Sequence, residues 1–273
     1  MLAEQTRFDP TAPVQLDVAR ATVPDLRAAI FAGLHDFRQR PALSLSFGLI
    51  FALFGLTLLA GLVVFDQIWI TIAAAVGSPL VAPFLAAGLY EMSRRFSRGE
   101  SFRTRDIFRV IFDQSRREFG WMAFIMLFVF WIWAYQVRIV LAVTMQYQGF
   151  RSLDHLITAM FTTGEGVVFL AIGTVIGGVL STFLFTITVI SMPLLLDKKV
   201  DFVTAMITSV RSVLNSPRVM LGWGAFVGAL TLVSVATLFV GVIFVVPVLG
   251  HASWHLYERL VSERDAAAPL QAR

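Results

Sequence analysis

His251 and His255, in the string Pro247-Val-Leu-Gly-His-Ala-Ser-Trp-His-Leu-Tyr257, stand four residues apart and would share one face of a helix. At that spacing two imidazoles can ligate one metal ion. No glutamate follows His251, so the general base of a zincin helix is missing. His35 and His155 are expected on opposite sides of a membrane, so at most one could join the pair. Two imidazoles on one helix also cannot supply both axial ligands of a single haem, which approach from opposite faces. The alternative is structural: His251, Trp254, His255 and Tyr257 form an amphipathic anchor at a membrane surface. On that reading the chain carries no metal and no cofactor.

One arginine stands alone among apolar residues. Arg138, in Trp133-Ala-Tyr-Gln-Val-Arg138, would lie in the outer half of a span, where arginine costs up to about 2.5–3.5 kcal/mol on insertion. It would bind an anionic substrate or lipid headgroup. Otherwise it would snorkel outward or bond carbonyls of a neighbouring helix, with Tyr135 in an aromatic belt. No Asp or Glu falls well within an apolar stretch, so a carboxylate relay for protons or sodium has no support. The chain lacks a P-loop, a nucleophile elbow and a dinucleotide fingerprint. It has no cysteine, which excludes disulfides, thiolate metal sites and cysteine nucleophiles. No catalytic constellation emerges.

The elements that would position these residues are long and apolar. Of the 273 residues, 57% are hydrophobic and only 15% charged, well below the roughly one-quarter charged of soluble domains. Residues 42–65, 68–90, 121–146 and 164–195 each reach the roughly 20 apolar residues that cross a bilayer core. The block 219–257 is too long for one span. A hairpin near Leu238–Gly241 divides it into 219–238 and 240–257; the alternative is one long tilted helix, which leaves five spans. Residues 1–21 and 261–273 are expected as flexible ends around a single transmembrane domain, 22–260. The net charge of +4 does not indicate nucleic acid, because the basic residues sit beside spans and are mixed with acids.

Shifting the chain by 176 residues places Asp25 on Asp201, Ala29 on Ala205, Pro41 on Pro217, Gly48 on Gly224 and Ala60 on Ala236. Each copy opens with an amphipathic segment: Leu26, Ile30, Leu34 and Phe37 on one face, and Phe202, Met206, Val210 and Val213 in the other. A weaker third copy covers Thr104–Glu118. The expected fold is therefore an all-α, polytopic transmembrane bundle of six spans, arranged as three units of interfacial helix plus hairpin. Chance similarity among apolar sequences is the alternative to true repetition. Thr22-Val-Pro-Asp25 has capping-box spacing. Prolines 83, 193 and 247 precede three similar hairpin ends, expected as kinks that frame a vestibule or as packing irregularities. Gly173, Gly177 and Gly178 suggest close helix packing.

Arginines concentrate on alternate connections. Residues 91–118 hold eight of them, and Lys198, Lys199, Arg211 and Arg218 lie in the connection 196–218. With six spans, 20 of the 22 basic residues and both termini fall on one side, cytoplasmic by the positive-inside bias.

Ser191-Met-Pro-Leu-Leu-Leu-Asp197, its continuation through Asp201 and Arg211 to Asn215-Ser-Pro217, Pro83-Phe-Leu-Ala-Ala-Gly-Leu-Tyr-Glu91 and the Pro247–Tyr257 string together resemble a family of bacterial integral membrane proteins known as a domain of unknown function. The resemblance covers nearly all of the chain and implies an inner-membrane location. Some members carry an automatic label of cytochrome c oxidase subunit I. An oxidase core needs about six histidines on separate helices, and only His251 and His255 lie near the membrane. The resemblance thus implies topology rather than activity. The expected function is non-enzymatic: an accessory, assembly or scaffolding protein, with respiratory complexes among its candidate partners alongside the lipid bilayer. The alternatives are a transporter or channel for a small or lipidic solute, with a path near Arg138, and a metal or haem handling protein centred on the histidine pair.

Overall fold

Capping and proline chemistry set the first break in the chain. The computed structural model describes residues 16–63, 68–113, 118–145 and 153–263; Asp66, Arg116, Arg117, Arg151 and the outer parts of both termini lie outside these. Thr22 and Asp25 form the expected capping box at the start of α1 (Val23–Gln39): the Thr22 hydroxyl accepts from the Asp25 amide, and the Asp25 carboxylate accepts from the Thr22 amide at 3.0 Å. Arg40 (φ −139°, ψ 66°) ends that helix, and Pro41 opens α2 (Pro41–Val63). Ser216 (φ −147°, ψ 59°) makes nearly the same break before Pro217.

The chain then runs α3 (Ile68–Ser97), α4 (Thr104–Asp113), α5 (Glu118–Thr144), α6 (Leu153–Thr162), α7 (Gly164–Thr188), α8 (Ser191–Asp197), α9 (Phe202–Asn215), α10 (Pro217–Ala236) and α11 (Val242–Leu260). Between α10 and α11 the chain reverses at Leu238 and Phe239, both in the left-handed region at φ 52° and 65°. The block 219–257 is thus two helices and not one. Pro193 explains the α7–α8 interruption, since its ring displaces the carbonyl four residues earlier, at Val189. The Ile190 amide turns instead to the Ser209 hydroxyl at 3.1 Å. α3 and α11 run unbroken through Pro83 and Pro247, so only one of the three expected kinks interrupts a helix. α6 occupies a connection that hydropathy alone left unassigned.

Four stretches among the described residues are long and apolar enough to cross a membrane: Pro41–Gly61, Glu118–Thr144, Gly164–Asp197 and Pro217–Ala236. The expected spans 68–90 and 240–257 are not among these four; α11 carries His251, His255, Glu258 and Arg259 in its second half. Consecutive contacts close a circuit of long helices, α2–α3–α5–α7–α10–α11 and back to α2. Each shorter amphipathic helix leans on this circuit: α1 on α11, α4 on α3, and α9 on α7 and α8. At one end, here termed the basic end, Trp223, Trp254, Tyr257, Phe119, Met122, Ile190 and Leu194 are buried in one cluster. Towards the other end the long helices turn apolar side chains outward. Ile139, Val143, Val167, Leu232 and Val233 are all more than half exposed, a surface suited to lipid.

Three expectations need correction. The amphipathic helices, expected as interfacial, turn much of their apolar surface onto the protein. α1 buries Ala29, Gly33 and Asp36 against α11, with Leu26 and Ile30 packed on the core. α9 packs Phe202, Met206 and Val213 inward and leaves Val203, Ile207 and Leu214 outside. Small residues decide this, because they let the backbones approach: a Cβ on Gly33 would lie 2.5 Å from the Ala252 amide nitrogen. Second, the glycines at 173 and 178 meet nothing within 4 Å, so that stripe is an open face of the chain and not a close crossing. Third, the ends are not wholly flexible. β1 (Leu16–Val18) pairs antiparallel with β2 (Val261–Glu263), and Asn215 donates to the Val18 carbonyl.

These contacts separate two kinds of glycine. Gly33→Val should unfold the α1–α11 crossing, with a loss of about 1–3 kcal/mol from overpacking, while Gly178→Val should leave stability within about 0.5 kcal/mol. Denaturation of the two purified variants by graded sodium dodecyl sulfate, followed by circular dichroism, reads the difference.

Candidate functional site

The three proline-led segments meet at the basic end. α3 and α11 pack together, and α8 packs on both. Ala87, Leu194, Trp254, Leu256 and Tyr257 share one buried cluster. The expected vestibule is filled by these side chains; the Tyr257 hydroxyl is paired with Asp197, while the buried Trp254 indole nitrogen has no hydrogen-bond partner among the described residues.

His251 is fully buried, with Ser93 Oγ 2.7 Å from Nδ1 and Ser44 Oγ 3.0 Å from Nε2. One ring nitrogen donates and the other accepts, and a hydroxyl can answer either. The imidazole thereby ties α11 to α2 and α3. The Ser93–His251 distance matches a nucleophile and its base. Yet the serine is also fully buried, and the second ring nitrogen faces a hydroxyl where a triad would place a carboxylate.

One turn on, His255 Nε2 lies 2.7 Å from Asp36 Oδ2 of α1, and Nδ1 lies 3.2 Å from Glu258. Ser97 of α3 donates to that same Glu258 at 3.0 Å. His255 thus links the carboxylates of α1 and α11, and Glu258 extends the link to α3. The histidines do share a helix face, as their spacing implied, but they serve different partners. Among the described residues, no three His, Asp or Glu side chains form a group fit to hold a metal ion. The pair is also no surface anchor: His251, Trp254 and Tyr257 are inside the protein.

Glu91 went unrecognised as a site residue. It lies just beyond the expected second span, with its side chain wholly buried. Arg94 grips it through Nε at 2.6 Å and a second nitrogen at 2.9 Å, and Arg95 adds Nε at 2.6 Å. Such fork geometry satisfies both carboxylate oxygens. The signal was legible as Glu91-Met-Ser-Arg94-Arg95, an acid with bases three and four residues later on one helix. Asp197 closes α8 in a similar way, accepting from Arg98 and from the Tyr257 hydroxyl, each at 2.8 Å. Lys198 then reaches Glu263 of β2 at 2.7 Å. That contact and the nearby Asp197 hold the lysine ammonium above its ordinary pKa. At the entrance to α9, the Asp201 carboxyl is held below its usual range by the Thr204 hydroxyl and amide.

Arg138 is not part of this hub. It is exposed on α5 between Tyr135 and Ile139, themselves exposed, and makes no ion pair among the described residues. Nearby Gln136 is half-buried, with both amide atoms buried and unpartnered among those residues.

The pairs make a testable arithmetic. His255→Leu should cost about 3 kcal/mol, because Asp36 stays buried without its partner. Adding Asp36→Leu should restore part of that loss, giving a coupling of 0.5 kcal/mol or more in a double-mutant cycle read by detergent unfolding.

No curated protein and no solved structure matches the chain. A family model does match, over a stretch that runs from α3 to the end of α8 and so includes Glu91, the arginine-rich connection and Asp197; the Pro247–Tyr257 string lies beyond it. Residues 70–197 match the model of an uncharacterised family described as a predicted integral membrane protein (DUF2189), and the chain, with its several apolar helices, is an integral membrane protein.

Proposed function

We propose that this protein is a non-enzymatic scaffold of the bacterial inner membrane, an accessory or assembly factor for other membrane proteins. One observation carries this reading. The polar side chains of His251, Asp36 and Asp197 at the basic end are spent on joining α1, α2, α3, α8 and α11, while the buried Glu91 is answered within α3 by Arg94 and Arg95. A site built for turnover would keep such a group aimed at a cavity. The outward surfaces of α9 instead offer Val203, Ile207, Leu214 and Arg211, a mixed apolar and basic collar suited to headgroups and to neighbouring proteins.

The proposed topology is six spans in three units, both termini cytoplasmic. Its support is the reversal at Leu238–Phe239, the matching breaks at Arg40 and Ser216, and the way α1, α4 and α9 each lean on the second long helix of the unit before. Twenty of 22 basic residues then face the cytoplasm.

A transporter remains the second reading, and the buried side-chain amide of Gln136, unpartnered among the described residues and two positions from Arg138, is the observation in its favour. Two assays on one preparation separate the readings. Mild cross-linking and affinity purification from native membranes should recover a membrane protein in near-stoichiometric amount. Proteoliposomes of the purified chain should show no solute uptake above empty liposomes, and Arg138→Ala should change neither result. Saturable uptake lost in Arg138→Ala would replace the scaffold with a transporter.

A further inference from the structure

The α2–α3 pair carries two cavities at different depths. The first, about 340 Å³, lies at the basic end between the α1–α2 break and the turn after α3, lined by Gln39, Arg40, Phe96, Glu100, Ser101 and Phe102. The second, about 180 Å³, is apolar and lies further along the same two helices, between Phe51, Phe54 and Leu58 of α2 and Val81 and Leu85 of α3. From Arg40 to Phe51 is eleven residues, and from Phe96 back to Leu85 is eleven as well. At 1.5 Å per residue both helices separate the cavities by about 16 Å. That is roughly half of a ~30 Å hydrocarbon core. A headgroup in the first cavity would therefore place its acyl chain at the second.

The charges of the first cavity narrow the headgroup. The Arg40 guanidinium lies 4.9 Å over the Phe102 ring and makes no ion pair among the described residues. Glu100 makes none either, so these two opposite charges line one cavity without reaching each other. The neighbouring cations Arg94 and Arg95 are already spent on Glu91. One open cation and one open anion, with an amide and a hydroxyl between, complement a zwitterion better than a simple anion.

We propose that the two cavities hold one phospholipid with an ethanolamine headgroup. Its phosphate sits against Arg40 and Gln39, its ammonium against Glu100, and one acyl chain enters the apolar cavity below. The site is independent of the scaffold reading, since it needs neither a protein partner nor a transported solute.

The full-length protein, stripped of lipid in detergent, is titrated with dioleoyl phosphatidylethanolamine, dioleoyl phosphatidylglycerol and tail-less glycerophosphoethanolamine, and native mass spectrometry counts what stays bound. One ethanolamine lipid per chain is expected, held about fivefold more tightly than the glycerol lipid. Arg40→Gln should weaken it about tenfold, and Glu100→Gln should abolish the preference between the two lipids. Leu58→Trp, which fills the apolar cavity, should weaken the lipid and leave the tail-less compound unchanged. Equal affinity for both lipids in the unaltered protein overturns the ammonium assignment without recourse to any variant. Unchanged binding in Arg40→Gln overturns the site. A tail-less compound bound as tightly as the lipid overturns the role of the second cavity and assigns the first to a free phosphoester.

Discussion

An imidazole with no access to water must find both of its hydrogen-bond partners inside the protein, and His251 finds them on two different helices. Ser93 of α3 and Ser44 of α2 come from 158 and 207 residues away in sequence. Their hydroxyls reach the ring only because the backbones come unusually close. Gly48 of α2 lies against the Ile243 carbonyl and Gly33 of α1 against Ala252, so any side chain at either position would collide with α11 backbone. Backbone proximity and polar satisfaction are thus one constraint. Losing either would leave a buried nitrogen unpaired, at a cost of about 1–3 kcal/mol.

The rest of the basic end is arranged around that contact. Asp36 meets His255 one turn beyond His251, and the carboxylate of Glu258 carries the link to Ser97. The Asp197 carboxylate brings α8 to the same place through Arg98 and Tyr257. The β1–β2 pairing joins the two ends of the described chain, so the circuit of long helices is closed by its own termini. The long helices differ in how far the protein covers them. Only 6% of the apolar window in Gly164–Asp197 is buried, against 28% in Pro41–Gly61. The outward side chains of α7 gain their burial from lipid and not from the protein.

What the sequence disclosed follows from the range of each interaction. Hydropathy located the long helices, because a run of apolar residues needs no partner to be recognised, although α3 continues to Ser97 past its expected end at 90 and α7 stops at Thr188 short of 195. The capping box at Thr22 and Asp25 and the breaks at Pro41 and Pro217 were equally local. The histidine spacing correctly put His251 and His255 on one face. Their partners could not be read, since Asp36 is 219 residues from His255 and no periodicity links them. The buried face of α1 was misassigned because large apolar residues draw attention in a helical pattern, whereas Ala29 and Gly33 decide how closely two backbones pack. β1 and β2, three residues each, are too short for any alternation to show.

The central claim is that the ends of α3 and α11 meet on one side of the membrane, in a hub made of both. The chain has no native cysteine, so a single pair tests it: Ser97→Cys with Glu258→Cys, whose native side chains touch at 3.0 Å. A short bifunctional thiol reagent is applied to native membranes, and the chain is then cut at a protease site placed between the two positions. The fragments should remain joined in most molecules, and both cysteines should react with an impermeant reagent from the cytoplasmic face alone. Separate fragments, with both cysteines shown to be reactive, would contradict the hub and the topology that places its parts together.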